Sequence, residues 1–271
     1  LWKGAPVAAA LTERLIPRAQ ALAEKGVTPT LAIVRVGERP EDLSYERGAL
    51  KRCEKVGIAV RQYLLTSEAT QADLMEVIED INRDDSIHGC LMFRPLPKHM
   101  DEAAACAALT PAKDVDGITA GSLAAGFSGS GAGYPPCTAQ ACLEILDHYG
   151  YELKGKRAVV VGRSLVIGKP VSMLLLGRHA TVTVCHTRTA DLAAECRRAE
   201  VLVAAAGKAG AVSAQCLAPG QVVLDVGINV DENGNLVGDV DFAAAEAKVD
   251  AITPVPGGVG AVTTSVLARH I

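Results

Sequence analysis

Aromatic side chains are scarce in this chain, at 3% of 271 residues, with one tryptophan and three phenylalanines. Any core must therefore be built from Val, Leu, Ile and Ala. No uninterrupted apolar stretch approaches the roughly 18 residues of a membrane span, so none is predicted. No run of Lys or Arg stands out and the net charge is −4, which leaves no electrostatic case for nucleic acid. There are eight cysteines but no CxxC, and no His lies at zinc spacing from a Cys pair, so a metal site is not expected. Buried reduced thiols in a cytoplasmic protein are the expected reading. The opening LWKGAPVAAALTERL runs straight into a helical pattern and lacks a signal-peptide layout.

What is present is an alternation. The length suits one large domain or two ordinary ones. Helical periodicity over 5–25 is followed by a buried-type strand at 30–37, a helix from about Asp42 to Gly57, the strand IAVRQYLL, a helix with Thr70 and Asp73 spaced as a capping box, and the strand IHGCLMF. That order argues a parallel α/β layer. The Gly- and Ser-rich 119–136 reads as a linker. Beyond it the alternation resumes with KRAVVVG, TVTVCH, VLVAAAG and QVVLDVGIN, and TTSVLARHI begins a last helix. The expected fold class is α/β, two α/β lobes flanking a cleft. The first lobe spans 1–136, completed by the C-terminal helix 262–271. The second, 137–261, is a Rossmann-like parallel sheet. A cleft of that kind is where a ligand is expected.

Several stretches carry candidate chemistry. VVVGRSLVIGKP, 159–170, is a strand, a glycine turn and a helix start. Gly162 permits a tight turn and the helix N-terminus attracts a phosphate, although Ser164 stands where the full GxGxxG has a glycine. Alone it could equally be an ordinary connection. About twenty residues on, TVCHTRT carries His186, Thr187 and Arg188 where an NAD-specific sheet has an acid. With Arg163 they suit a 2′-phosphate, and so NADP, unless Arg188 is only a solvated surface cation. In DVGIN, 225–229, Gly227 lets backbone approach something flat, such as a nicotinamide. PVPGGVG, 254–260, is a stiff loop that could seal a ligand site or be a structural turn. KDVDG, 113–117, offers a carboxylate that could accept paired N–H groups of a heterocycle, or simple loop solvation.

Taken in order, GRSxxxGxP, DVGIN, VGDV, PVPGGVG, KDVDG and PLP resemble the methylenetetrahydrofolate dehydrogenase/cyclohydrolase family over nearly the whole chain. The resemblance implies a homodimer, NADP in the second lobe and a small-molecule folate in the cleft. It implies oxidation of 5,10-methylenetetrahydrofolate to the methenyl form, which most members then hydrolyse to 10-formyltetrahydrofolate. It also implies that Gly162, Arg163 and Ser164 hold the diphosphate and 2′-phosphate region, that Thr187 replaces a phosphate-binding serine, and that Ile228, Thr138 and Thr263 line the cofactor; the residue reading adds Arg188 to them. Tyr45 and Asp116 become the candidate catalytic residues, Asp116 being the acid that binds the pterin. Phe93, Pro256 and Gly260 join them around the substrate.

The substrate half departs from the family pattern. Tyr-x-x-x-Lys reads Tyr45 to Ala49, the active-site glutamine is Phe93, followed by Arg94, and a serine three residues before the tyrosine is Asp42. Lys51 should point about 120° away from Tyr45 on a helix, and Arg52 is in line but about 10.5 Å further along. Hydride transfer from a carbon between two nitrogens needs no proton acceptor, whereas hydrolysis does. The expectation is an NADP-dependent dehydrogenase with cyclohydrolase activity weak or lost. The alternatives are a bifunctional enzyme that recruits Asp42 or Glu46 as base, a dehydrogenase for another substrate, and a catalytically dead nucleotide- or folate-binding relative.

Overall fold

The computed structural model describes residues 1–271, which separate into two compact units. The first comprises 10–137 and 264–271; the second comprises 1–9 and 138–263. Residues 1–9, expected with the first lobe, thus group with the second unit.

In the first unit, most of helix α1 (Gly4–Ala23) leads to strand β1 (Thr30–Val36), helix α2 (Pro40–Val56), strand β2 (Ala59–Leu65), helix α3 (Gln71–Arg83) and strand β3 (Gly89–Met92). The three strands form a parallel sheet in the order β2–β1–β3. TLAIVRV is central and buried along its whole length, as a parallel strand covered on both faces must be. In α2, Asp42, Glu46, Ala49, Cys53 and Val56 recur at helical spacing and form its buried stripe. The helix opens on Pro40 and closes at Gly57 in the left-handed region, φ 90°. The expected capping box of α3 is formed: Thr70 Oγ1 accepts from the Asp73 N–H, and the Asp73 carboxylate accepts from the Thr70 N–H. Such a cap stabilises by about 1 kcal/mol. The core packs Leu74, Ile78 and Ile81 of α3 against Ala32, Val34, Cys90 and Met92 of the sheet. The largest fully buried side chains of the protein are all Leu or Ile, as the aromatic scarcity requires.

Helix α4 (Glu102–Ala108) was not anticipated; Asp101 caps it by accepting from the Ala104 N–H. The stretch 119–136 is only partly a linker, since it contains helix α5 (Ala120–Ser128). Thr119 Oγ1 accepts from the Ser122 N–H at its start, and Gly129 ends it with φ 68°. The small residues that suggested a linker instead allow close packing: a Cβ on Gly121 would lie 2.6 Å from Pro111, and one on Gly133 would lie 2.8 Å from Ser122.

In the second unit, helix α6 (Cys137–His148) precedes strand β4 (Arg157–Val161), helix α7 (Gly168–Gly177), strand β5 (Thr181–Cys185), helix α8 (Leu192–Arg197), strand β6 (Val201–Ala204) and strand β7 (Val222–Asp225). A hairpin of β8 (Asn229–Val230) and β9 (Leu236–Val237), helix α9 (Phe242–Glu246) and strand β10 (Ala251–Ile252) follow, and helix α10 (Thr263–His270) ends the chain's regular structure in the first unit. The sheet is wholly parallel, ordered β10–β7–β6–β4–β5. This is the Rossmann-like sheet expected. Its order reverses between β4 and β6, and ligands of such sheets bind beyond the carboxyl ends of the strands at that point.

Candidate active site

The chain leaves β4 through Gly162, whose φ of 132° disfavours any side chain. A Cβ there would lie 2.0 Å from the Ala205 carbonyl oxygen just past β6, and one on Gly168 would lie 2.3 Å from the Gly162 carbonyl. The turn is thus pressed flat at the switch point. Ser164 Oγ accepts from the N–H groups of Ile167 and Gly168, at 3.1 and 3.4 Å, and so shapes the first turn of α7. The Gly162 N–H donates to the Cys185 carbonyl, which sets this turn beside the one after β5. There the His186 N–H donates to Thr189 Oγ1 (2.9 Å) and the Arg188 N–H to His186 Nδ1 (3.1 Å). The side chains of Arg163, Thr187 and Arg188 are all exposed at this edge. Two free cations, a flat glycine turn and no acid after β5 fit an anionic dinucleotide.

A cavity of about 340 Å³ opens beside the carboxyl ends of β7 and β10, lined by Asp225 to Ile228 and by Pro254 to Gly258, Gly260 and Ala261. It brings together Ile228, Pro256 and Gly260. Thr138, in the first turn of α6, is half-buried. Thr263 is buried and donates its hydroxyl to the Gly260 carbonyl (3.1 Å), so it holds the closing loop.

Two acids in these motifs went unassigned in the sequence. Asp225 accepts from the N–H groups of Gly227, Asp239 and Val240, at 2.9–3.1 Å. Asp239 accepts from those of Ala206, Gly207 and Lys208 and from the Asn229 amide, at 2.6–2.9 Å. These buried carboxylates brace the loops after β6 and β7, and they explain Gly227 and Gly238: a Cβ on either would lie about 2 Å from the opposing carboxylate. Burial, chiefly, raises Asp225 to about 6, with the charge of Asp239 adding to the rise and the N–H donors opposing it. A folded pKa above the unfolded 3.8 gives stability that is fully present below about pH 4 and is lost as pH rises through about 6. Asp225→Asn, a neutral mimic of the protonated acid, should flatten this component between pH 4 and 7 in urea denaturation. An unchanged pH slope would contradict it.

In the first unit, Tyr45 and Phe93 come together: their rings meet edge to face, centroids 6.0 Å apart at 81°. Ala49, one turn on from Tyr45, is fully buried. Lys51 is exposed, and Arg52 donates to Thr12 of α1. Both oxygens of Asp42 accept from Arg39, at 2.7 and 2.9 Å, and Arg39 also donates to the Arg94 carbonyl. Glu46 Oε2 accepts from Arg35 (2.8 Å) and Oε1 from Gln62. The signal for that buried pair was an arginine inside the otherwise apolar run TLAIVRV.

The two acids of KDVDG differ sharply. Asp114 is fully buried, and its oxygens accept from the N–H groups of Ile118 and Thr119, at 2.9 and 2.7 Å. Asp116 is half-buried; Oδ1 accepts from the Cys137 N–H (3.3 Å), and Oδ2 has no partner. Burial raises its pKa, opposed by Cys137 and by the charge of Arg94. Asp116 therefore retains an acceptor for a ligand, and Asp114 does not.

Comparison with known proteins agrees with this layout. Residues 2–116 match the model for the tetrahydrofolate dehydrogenase/cyclohydrolase catalytic domain, and 136–271 match the model for the NAD(P)-binding domain of the same proteins. The bifunctional protein FolD of Clostridioides difficile is 51% identical over 269 residues, covering 99% of this chain and 94% of that one. Among solved structures, FolD from Campylobacter jejuni has a TM-score of 0.96 at 37% identity, covering 99% and 95%. The Trypanosoma brucei enzyme complexed with NADP and inhibitor has a TM-score of 0.92 at 35% identity, covering 99% and 94%.

Proposed function

The chain belongs to the tetrahydrofolate dehydrogenase/cyclohydrolase family, and from that premise we propose that it oxidises 5,10-methylenetetrahydrofolate to 5,10-methenyltetrahydrofolate with NADP, without appreciable hydrolysis of the product. The observation that carries the second half is Ala49, wholly buried one turn after Tyr45, with the Phe93 ring packed on that tyrosine. Neither supplies a proton acceptor. Asp42 and Glu46, the candidate substitute bases, are each engaged at both oxygens, which disfavours the bifunctional alternative.

NADP supplies the hydride acceptor. Gly162 and the first turn of α7 would hold its diphosphate, Arg163, Thr187 and Arg188 its 2′-phosphate, and the Gly227–Ile228 backbone its nicotinamide end. On the substrate, Tyr45 would line the folate ring system and Asp116 would accept from the pterin N–H groups. Neither role requires a proton to leave during oxidation; both fix the reacting carbon in place, and orientation of that kind lowers a barrier by about 7–11 kcal/mol. Absorbance at 340 nm with methylenetetrahydrofolate and NADP tests the reaction, and no signal with either NADP or NAD would refute it.

Cofactor choice has its own test. Arg163→Ala should raise the KM for NADP far more than that for NAD, because only NADP carries the phosphate that the guanidinium would meet. An equal rise for both would remove the 2′-phosphate role. We also propose a homodimer, supported by the apolar Val230 and Leu236 that the β8–β9 hairpin exposes, and a reducing, cytoplasmic location, supported by eight free thiols. No helix is long and apolar enough to cross a membrane.

A further inference from the structure

His270, in the last turn of α10, is 155 residues from KDVDG in sequence yet bonded to it. The ring is 6% exposed, and its Nδ1 lies 2.8 Å from the Val115 carbonyl oxygen. A carbonyl only accepts, so Nδ1 carries the proton. Burial, foremost, pushes the imidazole pKa down to about 4, so the ring is neutral near pH 7. The same carbonyl accepts from the Cys137 thiol (3.4 Å), and Cys137 Sγ is 3.9 Å from Nδ1. The His270 ring also stacks on Tyr134, centroids 4.6 Å apart at 23°.

These contacts bracket one short piece of backbone. Val115 is followed by Asp116, whose Oδ1 is gripped by the Cys137 N–H. Gly117 then turns with φ 66°, so close to Tyr134–Pro136 that a Cβ would lie 2.6 Å from the Tyr134 carbonyl oxygen. His270 thus holds the carbonyl on one side of Asp116 and, through Tyr134, the strap against which the other side turns. Neither atom it touches belongs to a residue expected to meet substrate.

We propose that His270 is a positioning residue for folate binding, which fixes the direction of the Asp116 carboxylate by donating to the Val115 carbonyl and buttressing Tyr134. This rests on the reading of Asp116 as the pterin acceptor. His270→Phe keeps the stacked ring and removes the donor. It should raise the KM for methylenetetrahydrofolate about tenfold, the loss of one buried hydrogen bond, and leave the KM for NADP unmoved. His270→Gln, which retains an N–H donor, should recover most of that loss. A parallel rise in both Michaelis constants, or equal behaviour of the two variants, would overturn the inference. Asp116→Asn separates the possible failures: weakened folate binding there without an effect in His270→Phe refutes His270 alone, whereas normal folate binding in Asp116→Asn refutes the Asp116 reading with it. Should His270→Phe not fold, ¹⁵N-histidine spectra of the unmodified protein decide the matter. The His270 resonances should shift when tetrahydrofolate saturates the site, and unmoved resonances would overturn the inference.

Discussion

Given methenyltetrahydrofolate, the purified protein should hydrolyse it at close to the buffer rate, while methylenetetrahydrofolate and NADP react at an enzymatic rate. The two activities place different demands on one site. Oxidation leaves a cation shared by two nitrogens and releases no proton from attacking water. Hydrolysis needs water to attack that cation and lose a proton, and a positioned base contributes about 10²–10⁴-fold to such a step. The buried stripe of α2 presents a methyl group at Ala49, and the aromatic ring of Phe93 packs on Tyr45. The one remaining candidate, Tyr45, offers a phenol rather than an amine or a carboxylate, and its ring is packed against Phe93.

Restoring hydrolysis should require both positions. Ala49→Lys places a long cation at a site with no exposure, where extra methylenes cost about 1–3 kcal/mol. Phe93→Gln replaces the ring packed on Tyr45 with a smaller polar group able to orient the amine. The double variant should therefore exceed the sum of the single ones, as residues acting as a unit do. A parent protein that hydrolyses the methenyl compound as fast as it forms it would refute this and point to a base elsewhere.

How far the sequence discloses this arrangement depends on the range of each interaction. β1, β4, β6 and β7 are legible because continuous Val, Leu, Ile and Ala runs are what strands covered on both faces require. The glycine turn after β4 is legible because strand, turn and helix are contiguous. The α4 and α9 helices and the β8–β9 hairpin are too short to show a period, and α5 is disguised by glycines that serve packing. The least legible contacts join residues far apart in sequence. Asp239 meets backbone N–H groups 31–33 positions away, and His270 meets a carbonyl 155 away. A backbone partner leaves no side-chain signature, so nothing in VGDV or LARHI discloses it. The Tyr45–Phe93 pair joins side chains and is legible in the sequence only as two separate residues, a tyrosine that fits the family pattern and a phenylalanine that departs from it.

Asp116→Ala should weaken folate binding by about 2–5 kcal/mol, the cost of losing desolvated hydrogen bonds to a charged group. The argument begins from the contrast within KDVDG. Asp114 cannot serve a ligand without releasing the N–H groups of Ile118 and Thr119 and so unfolding its own turn. Asp116 keeps Oδ2 free, and burial raises its pKa, an effect that N–H donors to the carboxylate oppose. Adjacent N–H groups on a pterin would provide them. Binding of such a ligand therefore favours the carboxylate, so folate affinity should fall as pH drops through the raised pKa, and Asp116→Asn should lose that pH dependence along with most of the affinity. Calorimetry with tetrahydrofolate across pH measures both effects. Affinity unchanged in Asp116→Ala, or a pH dependence that survives in Asp116→Asn, would show that another group receives the pterin.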